Sequence, residues 1–201
     1  MLKYAALALA PARPAIRKIE VFPLRYPTVG YFKFLEGGRP AVAVKITAED
    51  GTAGWGQSVP IPTWSYETLE SVASTLERHL APRLVGRDPF DLAGAHAVME
   101  QAIRPGFSTG MPIAKAGLDL ALHDLAGRLS RQSLAERWGR PAGGQITLSW
   151  TVNPRALNET EELIEQGWRR GYRNFNVKVA PDLRFDPVSY THLTLPTNRE
   201  V

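Results

Sequence analysis

The chain offers few groups able to move a proton, attack a carbonyl or hold a metal. Cysteine is absent, so there is neither a thiolate nucleophile nor a cysteine-bound zinc. The four histidines, His79, His96, His123 and His192, stand at spacings that do not suit a shared metal ion. Asp119 and Asp124 fall in one helical stretch but five residues apart, off any common face. More suggestive is Asn176, followed two places on by Lys178 in a stretch patterned as a strand. Residues two apart on a strand project to the same side, so an amide and an amine would share one surface. Taken by itself, a strand lysine is a solvated charge. To act as a general base its pKa must come down from about 10.4 toward about 7–8, through burial or neighbouring cations. Asn176 is neutral and supplies no like-charge push, though it can hydrogen-bond a carboxylate or hydroxyl. Two loops gather aromatic side chains: 26–35, with Tyr31, Phe32 and Lys33, and 58–66, with Trp64 and Tyr66. Such aromatics either pack on their own domain or shield a ligand from water.

These groups need elements to hold them. Alternating apolar and charged residues over 16–25 predict a strand, AVAVKIT over 41–47 a second, and TAGWGQ over 52–57 a third. Glu49, Asp50 and Gly51 mark a tight turn between the last two. The glycines of the third strand suit the close approach of a backbone or a ligand. After the Pro-rich 58–66 loop, Leu69, Val72, Leu76 and Leu80 recur at helical spacing and predict a helix over 67–80. Further helices are expected over 89–102 and 112–129, and strands followed by a run of helices say α+β. At Gly143 and Gly144, read as a hinge, the pattern changes. A strand over 145–152, a helix over 158–170 capped by Asn158 with an acidic first turn, and a strand over 173–179 make a βαβ unit. Such a unit demands a parallel sheet, and one unit cannot close it. Trp150 and Thr151, near the end of its first strand, are weaker candidates for substrate contact.

Composition narrows the classes. Hydrophobic residues make up 44% and charged residues 22%, which excludes wholesale disorder. Basic residues exceed acidic ones by four, spread without a run of five like charges, so nothing argues for nucleic acid. No apolar stretch approaches the roughly 18 residues of a membrane span. The absence of cysteine fits a reducing compartment and a cytoplasmic location. Residues 1–15, with one Lys and a short apolar run, are expected to be a loose extension or a misplaced start, not a secretion signal. The other end departs from everything before it. VSYTHLTLPT, residues 188–197, is the one-frame translation of GTC TCT TAT ACA CAT CTG ACG CTG CCG ACG, which resembles a transposase end plus adapter from sequencing-library preparation. The alternative is a genuine Thr-rich loop. The expectation is that the natural sequence departs near Asp186 or Pro187 and that 188–201 is a non-native tail, so Tyr190 and His192 are given no role.

From Ala114 the sequence runs AKAGLDLALHDLAGRLSRQSLAERWG to Gly139. With Ala114, Ala116, Gly117, Leu118, Asp119, Ala121, Leu122, Asp124, Leu125, Gly127, Arg128, Ser133, Leu134 and Gly139 in place, it resembles the signature of the mandelate racemase and muconate lactonizing enzyme family of the enolase superfamily. Arg137 and Trp138 depart from the pattern. The resemblance covers roughly residues 16–180, and its signature reports fold, with no catalytic residue in it. It implies an α+β capping domain, a three-stranded antiparallel sheet plus helices, over 16–142. The first two strands of a truncated (β/α)8 barrel would follow over 143–187.

The resemblance further implies removal of a proton next to a carboxylate, with Mg²⁺ stabilising the ene-diolate and a Lys or His as base. Lys178 aligns with the catalytic base of a Lys-x-Lys pair, and Asn176 departs from that pair. The base would then rely on Mg²⁺ and burial for its activation, with Asn176 left to bind substrate. Tyr31, Lys33, Trp64 and Tyr66 fall on the two loops that close over the barrel mouth, where Lys33 would meet a second anionic group. Trp150 is a further candidate. The Mg²⁺ ligands of the family lie at later strand ends, beyond Pro187, so no metal ligand is expected here and Asp182 and Asp186 are not recruited. The parent would be a racemase, epimerase or acid dehydratase, an isomerase or lyase taking a small carboxylate and forming a homo-oligomer, while the fragment itself would be inactive. A muconate-type cycloisomerase parent and a non-catalytic module binding a small acid or a protein are the alternatives.

Overall fold

The computed structural model describes residues 13–27, 38–141, 143–154 and 156–178 of the 201-residue chain. They fall into two compact units that part between Ala142 and Gly143.

In the first unit β1 (Ile16–Tyr26), β2 (Arg39–Ala48) and β3 (Ala53–Ser58) form an antiparallel sheet in chain order. β2 is central, with Val44 opposite both Val21 and Gly56. The turn expected at 49–51 is present: Gly51 takes a φ of 88°, its N–H donates to Ala48 O, and Asp50 holds the Thr52 N–H at 2.9 Å. Thr52 is spent on that turn, so β3 starts one residue later than its pattern suggests.

The helices cover one face of the sheet. Helix α1 (Pro62–Ser65) is a single turn inside the stretch read as a plain loop, started by Pro62, whose fixed φ suits a first helical position. Helix α2 (Leu69–Thr75) begins at a Thr68–Ser71 capping box, two residues later than its apolar spacing predicts. It runs through a π turn at Leu76–Leu80 into α3 (Ala81–Leu84), past the expected end. The π turn has a local cause. Pro82 has no N–H to continue the ordinary ladder, and the Ala81 N–H reaches back five residues to Leu76 O. Helix α4 (Leu92–Ala102) is capped by Asp91, which accepts from the Gly94 N–H at 2.9 Å. Helix α5 (Pro112–Ser130) is the longest among the described residues, and α6 (Leu134–Arg137) starts at a Ser133–Glu136 capping box.

The core lies between sheet and helices. Val42, Val44 and Ile46 of β2 meet Val72, Leu76, Leu80, Met99, Leu118, Leu122 and Leu125, all buried. Helix α5 presses onto β3 at its glycines, where a Cβ on Gly56 would fall 2.0 Å from Gly117 O and one on Gly54 2.3 Å from Leu125 N. The close approach expected of these glycines is that of a backbone. Asp124 completes the joint by accepting the Trp55 N–H at 2.8 Å on the strand's outer edge.

The second unit is the expected βαβ arrangement: β4 (Ser149–Val152), a 3₁₀ turn (Leu157–Glu159), α7 (Thr160–Arg169) and β5 (Asn174–Val177), with the strands parallel. Several bounds differ from expectation, two of them for clear reasons. Strand β4 starts at Ser149, not at 145: Ser149 pairs with Asn174, the first residue of β5, and among the described residues no strand pairs with 145–148. Asn158 does not cap α7. The chain enters through the 3₁₀ turn, and Glu159, helical at φ −83°, takes the cap position without a side-chain cap bond. The acidic first turn, Glu161 and Glu162, is there.

Candidate functional site

Strand β5 sorts its residues by face. A Cβ on Gly167 of α7 would lie 2.6 Å from Phe175 Cε1 and 2.7 Å from Trp150 Cδ1, so Trp150 and Phe175 face the helix. Alternation places Asn174, Asn176 and Lys178 on the opposite face. Thr151 pairs with Asn176 in register. Lys178 follows β5 directly; its N–H donates to Val152 O at 3.0 Å, which carries the ladder one residue further. Asn176 and Lys178 are both exposed in this chain. The second unit thus brings together Thr151, Asn176 and Lys178 at the carboxyl ends of two parallel strands, where active sites of such sheets collect.

Trp150 is not with them. Its ring packs 5.2 Å from that of Tyr172 with the Arg170 guanidinium 5.0 Å away, and its Nε1–H donates to Leu163 O at 2.9 Å. Of the two adjacent candidates on β4, Thr151 shares the face of Lys178. A strict alternation count from Asn176 across the register finds it.

The first unit carries Trp64 and Tyr66 at the surface, 69% and 63% exposed. Tyr66 closes α1 in a left-handed conformation, φ 48°, and its hydroxyl is hydrogen-bonded to that of Thr109. Tyr31 and Lys33 lie outside the described residues, as do Asp182, Asp186 and His192. One residue after Tyr66, the Glu67 carboxylate is 1% exposed and accepts the N–H groups of Ile113 and Ala114 at 2.7 and 3.0 Å. It caps α5 from a distance, since Met111 offers that helix no side-chain cap. Apolar spacing made Glu67 the first residue of a helix, and no short-range signal announces its reach across 46 residues.

Several other titratable groups are occupied structurally. Asp119 binds His96 of α4 at 2.7 Å and lies 3.7 Å from His123, while Asp124 holds Trp55 and Arg128. The two acids do point to different neighbours. Lys115 is buried, paired with Glu100 at 2.8 Å and with Ile103 O at 2.7 Å. Among the described residues no group of three or more His, Asp or Glu side chains is placed to hold a metal ion.

Residues 28–139 match the family model described as the N-terminal domain of mandelate racemase / muconate lactonizing enzyme. The chain belongs to this family. The mandelate racemase / muconate lactonizing relatives include a chloromuconate cycloisomerase of Cupriavidus pinatubonensis, 38% identical over 145 residues, covering 69% of this chain and 37% of that protein. An N-succinyl-L-Arg/Lys racemase of Bacillus cereus is 25% identical over 177 residues, covering 85% of this chain and 46% of its own length. Among solved structures, the N-succinyl Arg/Lys racemase from Bacillus cereus is similar with a TM-score of 0.83 at 23% identity, over 93% of this chain and 50% of that one. Muconate lactonizing enzyme from Pseudomonas putida gives 0.79 at 20% identity, over 92% and 50%. The three-stranded antiparallel sheet with its helices matches the N-terminal capping domain of these enzymes, and in this chain a short parallel sheet follows it. The chain spans about half the length of these solved relatives, and less of the cycloisomerase.

Proposed function

We propose that this chain is the N-terminal part of an enolase-superfamily enzyme that removes the proton alpha to a carboxylate in a small acid, as a racemase, epimerase or dehydratase. The observation that carries the reading is the shared face of Thr151, Asn176 and Lys178 at the strand ends, opposite the helix-packed Trp150 and Phe175. In this reading Lys178 takes the proton at Nζ, and Asn176 donates its amide N–H to a substrate carboxylate or hydroxyl. Thr151 takes the contact first expected of Trp150. Trp64, Tyr66, Tyr31 and Lys33 are further substrate-binding candidates in this reading. Mg²⁺ would supply charge stabilisation of the ene-diolate from ligands in the remainder of the longer protein. The domain boundaries go with this reading: an extension over 1–15, a capping domain over 16–142, barrel from 143, and a non-native tail from 188. So do a cytoplasmic location and a homo-oligomer.

A muconate-type cycloisomerase is the second reading, favoured by the name of the relative at 38% identity. One experiment addresses both. The gene is read through the codon for Pro187 from independent DNA, and the longer enzyme is incubated in deuterated water with N-acyl amino acids, hydroxy acids and muconates. Deuterium gained at the alpha carbon supports proton abstraction, and lactone formation from muconate supports the second reading. Lys178→Ala should lower the rate by about 10²–10⁴-fold, the usual worth of a general base. A variant with the parent's exchange rate would remove Lys178 from its role. Trp64→Ala should raise KM more than it lowers kcat.

A further inference from the structure

Two surface loops of the first unit are fastened to each other. In the first, residues 59–66, Trp64 and Ser65 donate their N–H groups to Ile61 O, both at 2.8 Å. The Ser65 hydroxyl accepts the Ile61 N–H at 3.1 Å, and the Tyr66 N–H reaches Pro62 O at 3.2 Å. The second, residues 104–110, joins α4 to α5 and folds back on itself. Gly110 sits at φ 70°, and a Cβ there would fall 2.8 Å from Pro105 N. The Tyr66 and Thr109 hydroxyls link the two loops, and Glu67 binds the first turn of α5 just beyond the second. A non-glycine residue in the left-handed region persists only where its surroundings over-determine it, and Tyr66 is held from both of its neighbours' sides. The pair presents Trp64, Tyr66 and the fully exposed Phe107. Large aromatics exposed on two linked loops suit contact with a ligand better than solvation.

We propose that Thr109 is a positioning residue for substrate selection, clasping the 59–66 loop to the 104–110 loop through the Tyr66 hydroxyl so that Trp64 and Phe107 act as one apolar rim. The rim favours small carboxylates whose far end is apolar. The proposal rests on the reading of Trp64 and Tyr66 as substrate-facing, and it adds a third loop that carried no motif.

The test is amide hydrogen exchange on the whole 201-residue chain with Thr109→Val, Thr109→Ser and Tyr66→Phe. Thr109→Val should speed exchange of the Trp64, Ser65 and Tyr66 amides about fivefold, the loss of one net hydrogen bond. The Val42, Val44 and Ile46 amides should keep their protection, and Thr109→Ser should restore the parent's rates. Unchanged exchange at Trp64 to Tyr66, or no rescue by serine, overturns the clasp. If Thr109→Val lowers protection in β2 as well, Tyr66→Phe decides, since it removes the same bond from an exposed side chain; no local rise there also overturns it. The two layers separate cleanly. Coupled loops with an unaltered KM in Trp64→Ala of the longer enzyme sink the substrate-facing reading and the rim with it. Uncoupled loops with a raised KM sink the clasp alone.

Discussion

The contact between β3 and α5 makes a prediction whose sign can be worked from distances. Replacing a glycine in a strand interior by alanine ordinarily stabilises by about 0.5–1 kcal/mol, because the unfolded chain loses freedom. At Gly56 the new Cβ would stand 2.0 Å from Gly117 O and 2.5 Å from Ala121 N, both backbone atoms of α5. No rotamer change relieves either clash. Reaching ordinary contact at 3.4 Å requires strand and helix to part by about 1.4 Å, and such a shift draws Leu118, Leu122 and Leu125 from their neighbours. Overpacking of a core costs about 1–3 kcal/mol, and a clash between two backbones belongs at the upper end. The net expectation for Gly56→Ala is a loss of about 2 kcal/mol, or a fall in Tm of about 4–8 °C for a chain of this size. Gly106→Ala is the control, since nothing lies within 4 Å of its Cβ and its φ is not positive. It should stay within about 0.5 kcal/mol of the parent. Urea unfolding followed by far-ultraviolet circular dichroism measures both, with equal m-values confirming the same denatured state. A midpoint for Gly56→Ala at or above the parent's would refute the claim that these glycines exist to admit the helix backbone.

Other perturbations give distinct outcomes. Glu67→Gln puts an amide N–H against a backbone N–H at the start of α5, and Glu67→Ala leaves two buried N–H groups without it; urea midpoints should show losses of about 2 and about 3 kcal/mol. Asp124→Ala frees the Trp55 N–H on the edge of β3, which should cost about 1–2 kcal/mol and raise the tendency to self-associate, read by light scattering. Hydrogen bonds from the Ser133 N–H and hydroxyl hold the Glu136 carboxyl below the usual glutamate range. Because the folded pKa is the lower one, the stabilisation of α6 is complete above the ordinary value of 4.5 and is lost as pH falls through the depressed one. Amides of 134–138 should therefore exchange faster there, and Glu136→Gln should remove that dependence.

The sheet and the main helices were legible because each has one buried face, and burial writes period into sequence. Val42, Val44 and Ile46 alternate because β2 is covered on one side, and Leu69, Val72, Leu76 and Leu80 recur because their helix lies on it. What stayed hidden depends on partners distant in the chain or on backbone accounting. The π turn follows from the missing N–H of Pro82, which shifts a bond five residues back without disturbing the apolar stripe. The late start of β4 depends on where β5 begins. Trp150 attracted attention by its type, yet its indole serves α7; the polar face is read correctly only by counting register from Asn176 to Thr151. Glu67 and Thr109 act through contacts 46 and 43 residues away, and nothing local marks them.

The signature residues on the sheet-facing and core-facing sides of α5 are packing residues, and this has a consequence for function. Gly117 and Ala121 line the side of α5 that meets Gly54 and Gly56, Leu118, Leu122 and Leu125 fill the core, and Asp119 and Asp124 are bound to His96 and to the edge of β3. Each is constrained by a neighbour inside its own unit, and none is left to touch a substrate. A helix so constrained can be shared by proteins named as cycloisomerases and as racemases, because its requirements are those of a sheet under a helix and are indifferent to the reaction. Discrimination between those reactions must then come from residues free of such duties. In the function proposed above, that part falls to the polar face of Thr151, Asn176 and Lys178. Exchanging residues within the signature should change stability and leave substrate preference alone, whereas exchanging Asn176 for Lys should leave stability within about 0.5 kcal/mol and alter the pH dependence of proton transfer. If Asn176→Lys left that pH dependence where it was, the separation between residues that build the fold and residues that choose the chemistry would fail at the position where it is most sharply drawn.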